Sequence, residues 1–177
     1  MATSTKSPVT IVDDTTVGTQ IWVTPSDAVS SNDAYAGVTV EDTQISHYLK
    51  ATNFGFAIPT GATINGIQVS VERKMGVSIG GDVEDYQVRI VKGGVIGTTE
   101  KATAGLWPTT DTVKIYGSSS DLWGETWTVD DINASNFGFV ISCYESEGKG
   151  NAEAAYVDHI QITVYYTEVS EWYINFK

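Results

Sequence analysis

Alternation with a period of two runs through this chain and leaves little room for helix. Ile67, Val69 and Val71 fall on one side of a strand, and Gln68, Ser70 and Glu72 on the other. Tyr86, Val88 and Ile90 alternate with Gln87 and Arg89, and Ile160, Ile162, Val164 and Tyr166 with His159, Gln161, Thr163 and Tyr165. Successive strand side chains point to opposite faces, so each run has one dry face and one wet face, as in antiparallel sheets. No window of about 11 residues sustains an apolar stripe at i, i+3, i+4 and i+7. Turn-forming clusters such as "TPSD", "IPTGA", "KGGVIG" and "ESEGKGN" separate the runs. Strands are expected near 8–13, 19–24, 36–40, 44–50, 54–58, 62–75, 83–92, 111–116, 125–129, 135–144 and 153–167. This predicts an all-β fold: an antiparallel β-sandwich, jelly-roll-like. Only "TVDDINAS" reads as a helical turn, with Thr128 as N-cap and Asp130 and Asp131 in its first turn.

A chain of 177 residues suits one domain with short arms. The expected division is an N-terminal arm at 1–7, a sandwich at 8–167 and a C-terminal tail at 168–177. The runs 62–75 and 153–167 are long for a small flat sheet, so they are expected to bend or overrun its edge. The tail carries Trp172, Tyr173, Ile174 and Phe176 beyond the last strand. These are expected either to fold back on the core or to contact another subunit or a capsid.

The net charge of −12 opposes binding to a phosphate backbone or an anionic membrane surface. The Lys and Arg residues are scattered, no run of about 18 apolar residues occurs, and neither nucleic acid nor membrane is an expected partner. The start "MATSTKSPVT" has no apolar stretch of the secretory kind, which predicts synthesis in a cytoplasm. Cys143, the single cysteine, shares the phase of Phe137, Phe139 and Ile141 and is expected as a small core residue.

Several segments are distinctive together: "YLKATNFGFAIPTGATINGIQVSVER", "DYQVRIVKGG", "YGSSSDLWGETWTVDDINASNFGFVIS" and "AAYVDHIQITVYYT". In combination they resemble a β-sandwich module of bacteriophage virion proteins and uncharacterised microbial proteins, over roughly 18–167. The resemblance implies a non-enzymatic virion structural protein, a capsid decoration or accessory subunit. Such a protein binds the capsid surface and other copies of itself, for example as a trimer, and is located in the virion after synthesis in the host cytoplasm.

Catalytic chemistry finds little support. His47 and His159 both sit in strand patterns, away from any serine elbow, and the expectation is no enzyme and no cofactor. Metal-ligand spacing of Cys and His is absent, and the best acidic cluster for calcium is Asp82, Glu84 and Asp85 beside Gly80 and Gly81. Turn chemistry is the favoured reading of that cluster, and no metal is expected. The alternative function is a carbohydrate-binding module mediating host attachment, with Trp107, Trp123 and Tyr116 as the expected glycan platforms and Trp22, Trp127 and Tyr35 as further candidates.

One phrase occurs twice: Ala-Thr/Ser-Asn-Phe-Gly-Phe-x-Ile, at Ala51–Ile58 and again at Ala134–Ile141. Its Phe and Ile residues share one face, which predicts two equivalent strand entries filling a sandwich core, in opposing sheets. Gly55 and Gly138 then mark a bulge or a close backbone approach.

Overall fold

The computed structural model describes residues 1–76, 82–146, 148 and 151–169. Its strands are β1 (Ala2–Lys6), β2 (Thr10–Asp14), β3 (Ala36–Glu41), β4 (Tyr48–Thr52), β5 (Thr63–Met75), β6 (Val83–Lys92), β7 (Val95–Ile96), β8 (Thr112–Gly117), β9 (Gly138–Glu145) and β10 (Ala152–Thr167). One sheet runs β1-β10-β5-β8 with β3 also on β10, and the other β2-β4-β9-β6-β7, with every pairing of strands antiparallel. Successive strands lie in opposite sheets except β6 and β7, a hairpin closed by Gly93 and Gly94, both at positive φ. Val69, Val71, Ile160 and Ile162 from the first sheet share one buried cluster with Val88, Ile90, Phe139 and Ile141 from the second. The molecule is therefore an antiparallel β-sandwich.

The long strands are accommodated by successive partners and register shifts. One flank of β10 follows β5; the other takes β3 over Ala152–Val157 and then β1 over Ile162–Tyr166. The β10–β5 register slips between Val157 and His159 and again between Tyr165 and Tyr166. The N-terminal segment expected as a free arm is instead β1, because Ala2–Lys6 completes the ladder that β3 leaves unfilled. The expected tail contact at Trp172, Tyr173, Ile174 and Phe176 lies outside the described residues.

Three expected strands are absent, each for a local reason. At 19–24 only isolated bridges form, Gln20 with Ser46 and Val23 with Gly37, and Trp22 between them is held by a side chain and by its own indole: its backbone N–H donates to Asp13 at 2.8 Å and the indole to the His47 carbonyl at 2.8 Å. At 54–58 the chain cannot stay extended, since Asn53 and Gly55 adopt φ of 58° and 64°. At 125–129 the chain makes no ladder and leads into a helical turn. Thr128 caps α1 (Val129–Asn133) through a reciprocal capping box with Asp131. One alternation also fails: Tyr86 is 37% exposed while Val88 and Ile90 are buried. A register shift between Asp85 and Gln87 turns the strand over at that point.

The repeated phrase does not mark two equivalent strand entries. Its first copy leaves β4 as a loop and its second begins β9, and β4 pairs with β9 through Thr52↔Gly138 and Ala51↔Phe139. The copies are thus neighbours in one sheet. Phe54, Phe56 and Phe137 form a ring cluster with centroids 5.9–6.3 Å apart. Gly138 is required by close approach, since a Cβ there would lie 2.1 Å from the Ala51 carbonyl oxygen.

His159 sits at the first slip of β10, half-buried, with Nε2 2.8 Å from the Ser7 hydroxyl. Burial lowers its pKa from the ordinary value of 6.5, against the opposing pull of Glu72 and Asp158. The unfolded chain therefore takes up the proton first, and stability falls as pH drops below 6.5. Urea midpoints at pH 7 and pH 5.5 will show this fall, and His159→Gln will flatten it.

Candidate functional site

The expected glycan platforms are not at the surface. Trp107 is 1% exposed, Trp123 0% and Tyr116 2%, because each has a polar handle satisfied inside. The Trp123 indole donates to the Ile67 carbonyl at 2.9 Å. Trp107 Nε1 donates to Asp85 Oδ1 at 2.9 Å, and the Tyr116 hydroxyl to Asp85 Oδ2 at 2.9 Å. Asp85 also accepts from the Thr103 backbone and hydroxyl and pairs with the Arg73 guanidinium. That guanidinium lies 4.4 Å from the Trp107 ring centroid. Burial, more than the neighbouring charges, drives the Tyr116 phenol far above its usual range.

The same geometry separates the candidate calcium ligands Glu84 and Asp85. Asp85 points inward and is saturated by its partners, while Glu84 lies on the opposite face of β6, where it accepts the Gly105 N–H. Among the described residues no group of three or more His, Cys, Asp or Glu side chains converges as metal ligands. Cys143 is fully buried, and burial pushes its thiol up to about 12. His47 is held by Asp13, with Nδ1 2.7 Å from the carboxylate.

A cavity of about 310 Å³ opens on the outer face of the first sheet, lined by Val23, Thr24, Tyr35, Gly37, Val38, Thr39, Ala154 and Tyr156. The strand period sets its floor. Ala36, Val38, Ala155 and Val157 point into the core, so Gly37, Thr39, Ala154 and Tyr156 belong to the outer face. Gly37 leaves the Tyr156 ring open on one side; a Cβ there would sit 3.5 Å from Cδ1 and Cε1. Val23 closes the far edge through two backbone hydrogen bonds with Gly37.

Tyr35 forms the upper wall. Its ring meets Tyr156 edge-on, with centroids 5.7 Å apart at 65°. Its single hydroxyl proton is shared between Asp111 at 3.0 Å and Asp33 at 3.2 Å. Lys74 Nζ lies 3.9 Å from the Tyr35 ring centroid and donates to Asp111 at 2.9 Å. Tyr35 first, and then Asp111, raise Lys74 to about 12. The residues lining the cavity include no His, Cys, Asp or Glu. The arrangement offers aromatic surface and hydroxyls but no nucleophile with a base.

Of the sequence candidates, only Tyr35 belongs to this cavity. Tyr156 was legible in principle: it stands on the wet side of "EAAYVD", between inward Ala155 and Val157. A second aromatic pair, Tyr86 and Tyr144 on the other sheet, has centroids 5.9 Å apart.

No family model matches the chain, and no curated protein matches it. A solved structure described as "CBM4 structure and function" aligns over 86% of this chain and 92% of its own, with a TM-score of 0.39 and 14% identity. At that distance the likeness says nothing about a ligand, which has to be argued from this chain's own residues.

Proposed function

We propose that this protein is a carbohydrate-binding β-sandwich module that holds a neutral pyranose ring in the Tyr35–Tyr156 cavity. The observation that carries the reading is the lining: two tyrosine rings and two threonines around an open floor, with no charged side chain. A sugar ring presents apolar C–H faces and a rim of hydroxyls, which matches aromatic surface with a few fixed polar groups. The chain's charge of −12 favours neutral over acidic sugars. A volume of about 310 Å³ is at the small end for ligand pockets, fitting one or two rings.

Tyr156→Ala will weaken binding by about 1.5 kcal/mol, roughly tenfold, in calorimetry against the best ligand of a neutral glycan array. Gly37→Val will fill the floor and abolish binding while leaving the melting temperature nearly unchanged. An array blank at high protein concentration sinks the reading. The virion setting and the self-assembly implied by the resemblance are separate proposals. Co-sedimentation with phage particles and mass measurement in solution test them.

A further inference from the structure

We infer that Asp111 and Lys74, which lie outside the cavity lining, act as positioning residues that preset the Tyr35 wall for its ligand. The inference rests on the carbohydrate-binding reading of the same cavity. Three separate pieces of chain meet at Tyr35. Asp33 and Tyr35 come from the segment before β3, Lys74 from β5, and Asp111 from the residue just ahead of β8. Strand register explains the meeting. Gly37 pairs with Tyr156 on β10, Tyr156 with Lys74 on β5, and Arg73 with Thr112 on β8. Lys74 and Asp111 therefore end the row that begins at the cavity floor.

The clamp acts on both degrees of freedom of the ring. The ammonium against the ring face sets its tilt, and the two carboxylates on the hydroxyl set its reach. The backbone is fixed as well. Thr24 accepts a left-handed conformation, φ 49° and ψ 51°, unusual for a β-branched residue, and its hydroxyl donates to the Tyr35 carbonyl at 2.9 Å. Asp33, two residues ahead of Tyr35, is also left-handed at φ 62°. Such conformations persist where surrounding contacts over-determine them, and they cluster at ligand clamps. A wall ordered before the ligand arrives spares the ligand the cost of ordering it.

The test is a double-mutant cycle read by calorimetry, with the ring of Tyr35 followed by NMR in the absence of ligand. Asp111→Ala and Tyr35→Phe will each weaken glycan binding by about two- to tenfold, and the double variant no more than the worse single one. Lys74→Met will weaken binding similarly, and Lys74→Arg will restore it, because a guanidinium keeps a cation over the ring. Ligand-free Asp111→Ala will shift the Tyr35 ring resonances while the melting temperature stays within a degree or two of the wild type. Wild-type affinity in Asp111→Ala, with Tyr156→Ala still defective, overturns the positioning role and leaves the binding site intact. Unchanged Tyr35 resonances in Asp111→Ala overturn the clamp whether or not any glycan binds.

Discussion

Arg73→Leu will destabilise the protein by about 3–5 kcal/mol, because it strands a buried carboxylate. Arg73 is 3% exposed and Asp85 7%, and they join β5 of one sheet to β6 of the other across the sandwich interior. Asp85 keeps the Trp107 indole, the Tyr116 hydroxyl and Thr103 as donors when the guanidinium goes, but no positive charge remains against it. Removing the charge as well, in Arg73→Leu/Asp85→Asn, will recover part of the loss. Urea denaturation with one slope for all variants makes the comparison valid. A loss below about 1 kcal/mol for Arg73→Leu means the pair is not the polar anchor of the core.

Phe137→Ala will cost about 3–5 kcal/mol through the cavity it leaves. Phe137 is fully buried, and its ring meets Phe54, Phe56 and Trp127 at centroid distances of 6.3, 5.9 and 5.3 Å. It is the residue where both copies of the repeated phrase converge, so its loss disturbs the β4 exit and the β9 entry together. The Asn53 N–H, which donates to the Ser135 carbonyl at 2.9 Å, is a second link between the copies that survives the change. Thermal and urea unfolding measure the cost. A nearly neutral Phe137→Ala that loses partner binding instead makes the phenylalanines a binding site rather than core.

Alternation made the sandwich legible, but the polar residues that continue its inward phase did not stand out. Ile67, Val69 and Val71 set an inward phase on β5, and Arg73 continues it. Val83 sets an inward phase on β6, and Asp85 continues it. Only the structure, by placing β5 and β6 in facing sheets, turns this inward cation and inward anion into a buried pair and takes Asp85 out of the calcium candidates. Tyr86 departs from the phase of Val88 and Ile90 because one register shift reverses the faces beyond it, and nothing in "DYQVRI" marks the slip. The burial of Trp107 and Trp123 is hidden in the sequence for a different reason. "GLWPTT" has the composition of an exposed loop, but the indole turns inward to reach Asp85, a partner 22 positions away in the chain. The cavity was the least legible part. It depends on a missing side chain at Gly37, a left-handed Thr24 and a segment that follows the sheet edge without becoming a regular strand. None of these has a periodic signature.

Chemical-shift mapping with a neutral oligosaccharide selected from an array reads out whether the Tyr35–Tyr156 cavity holds a sugar. The largest shifts are expected at Thr24, Tyr35, Gly37, Thr39 and Tyr156, with none of comparable size in Tyr156→Ala. Shifts centred on Tyr86 and Tyr144, or no saturable shifts with any glycan, would contradict a sugar site there.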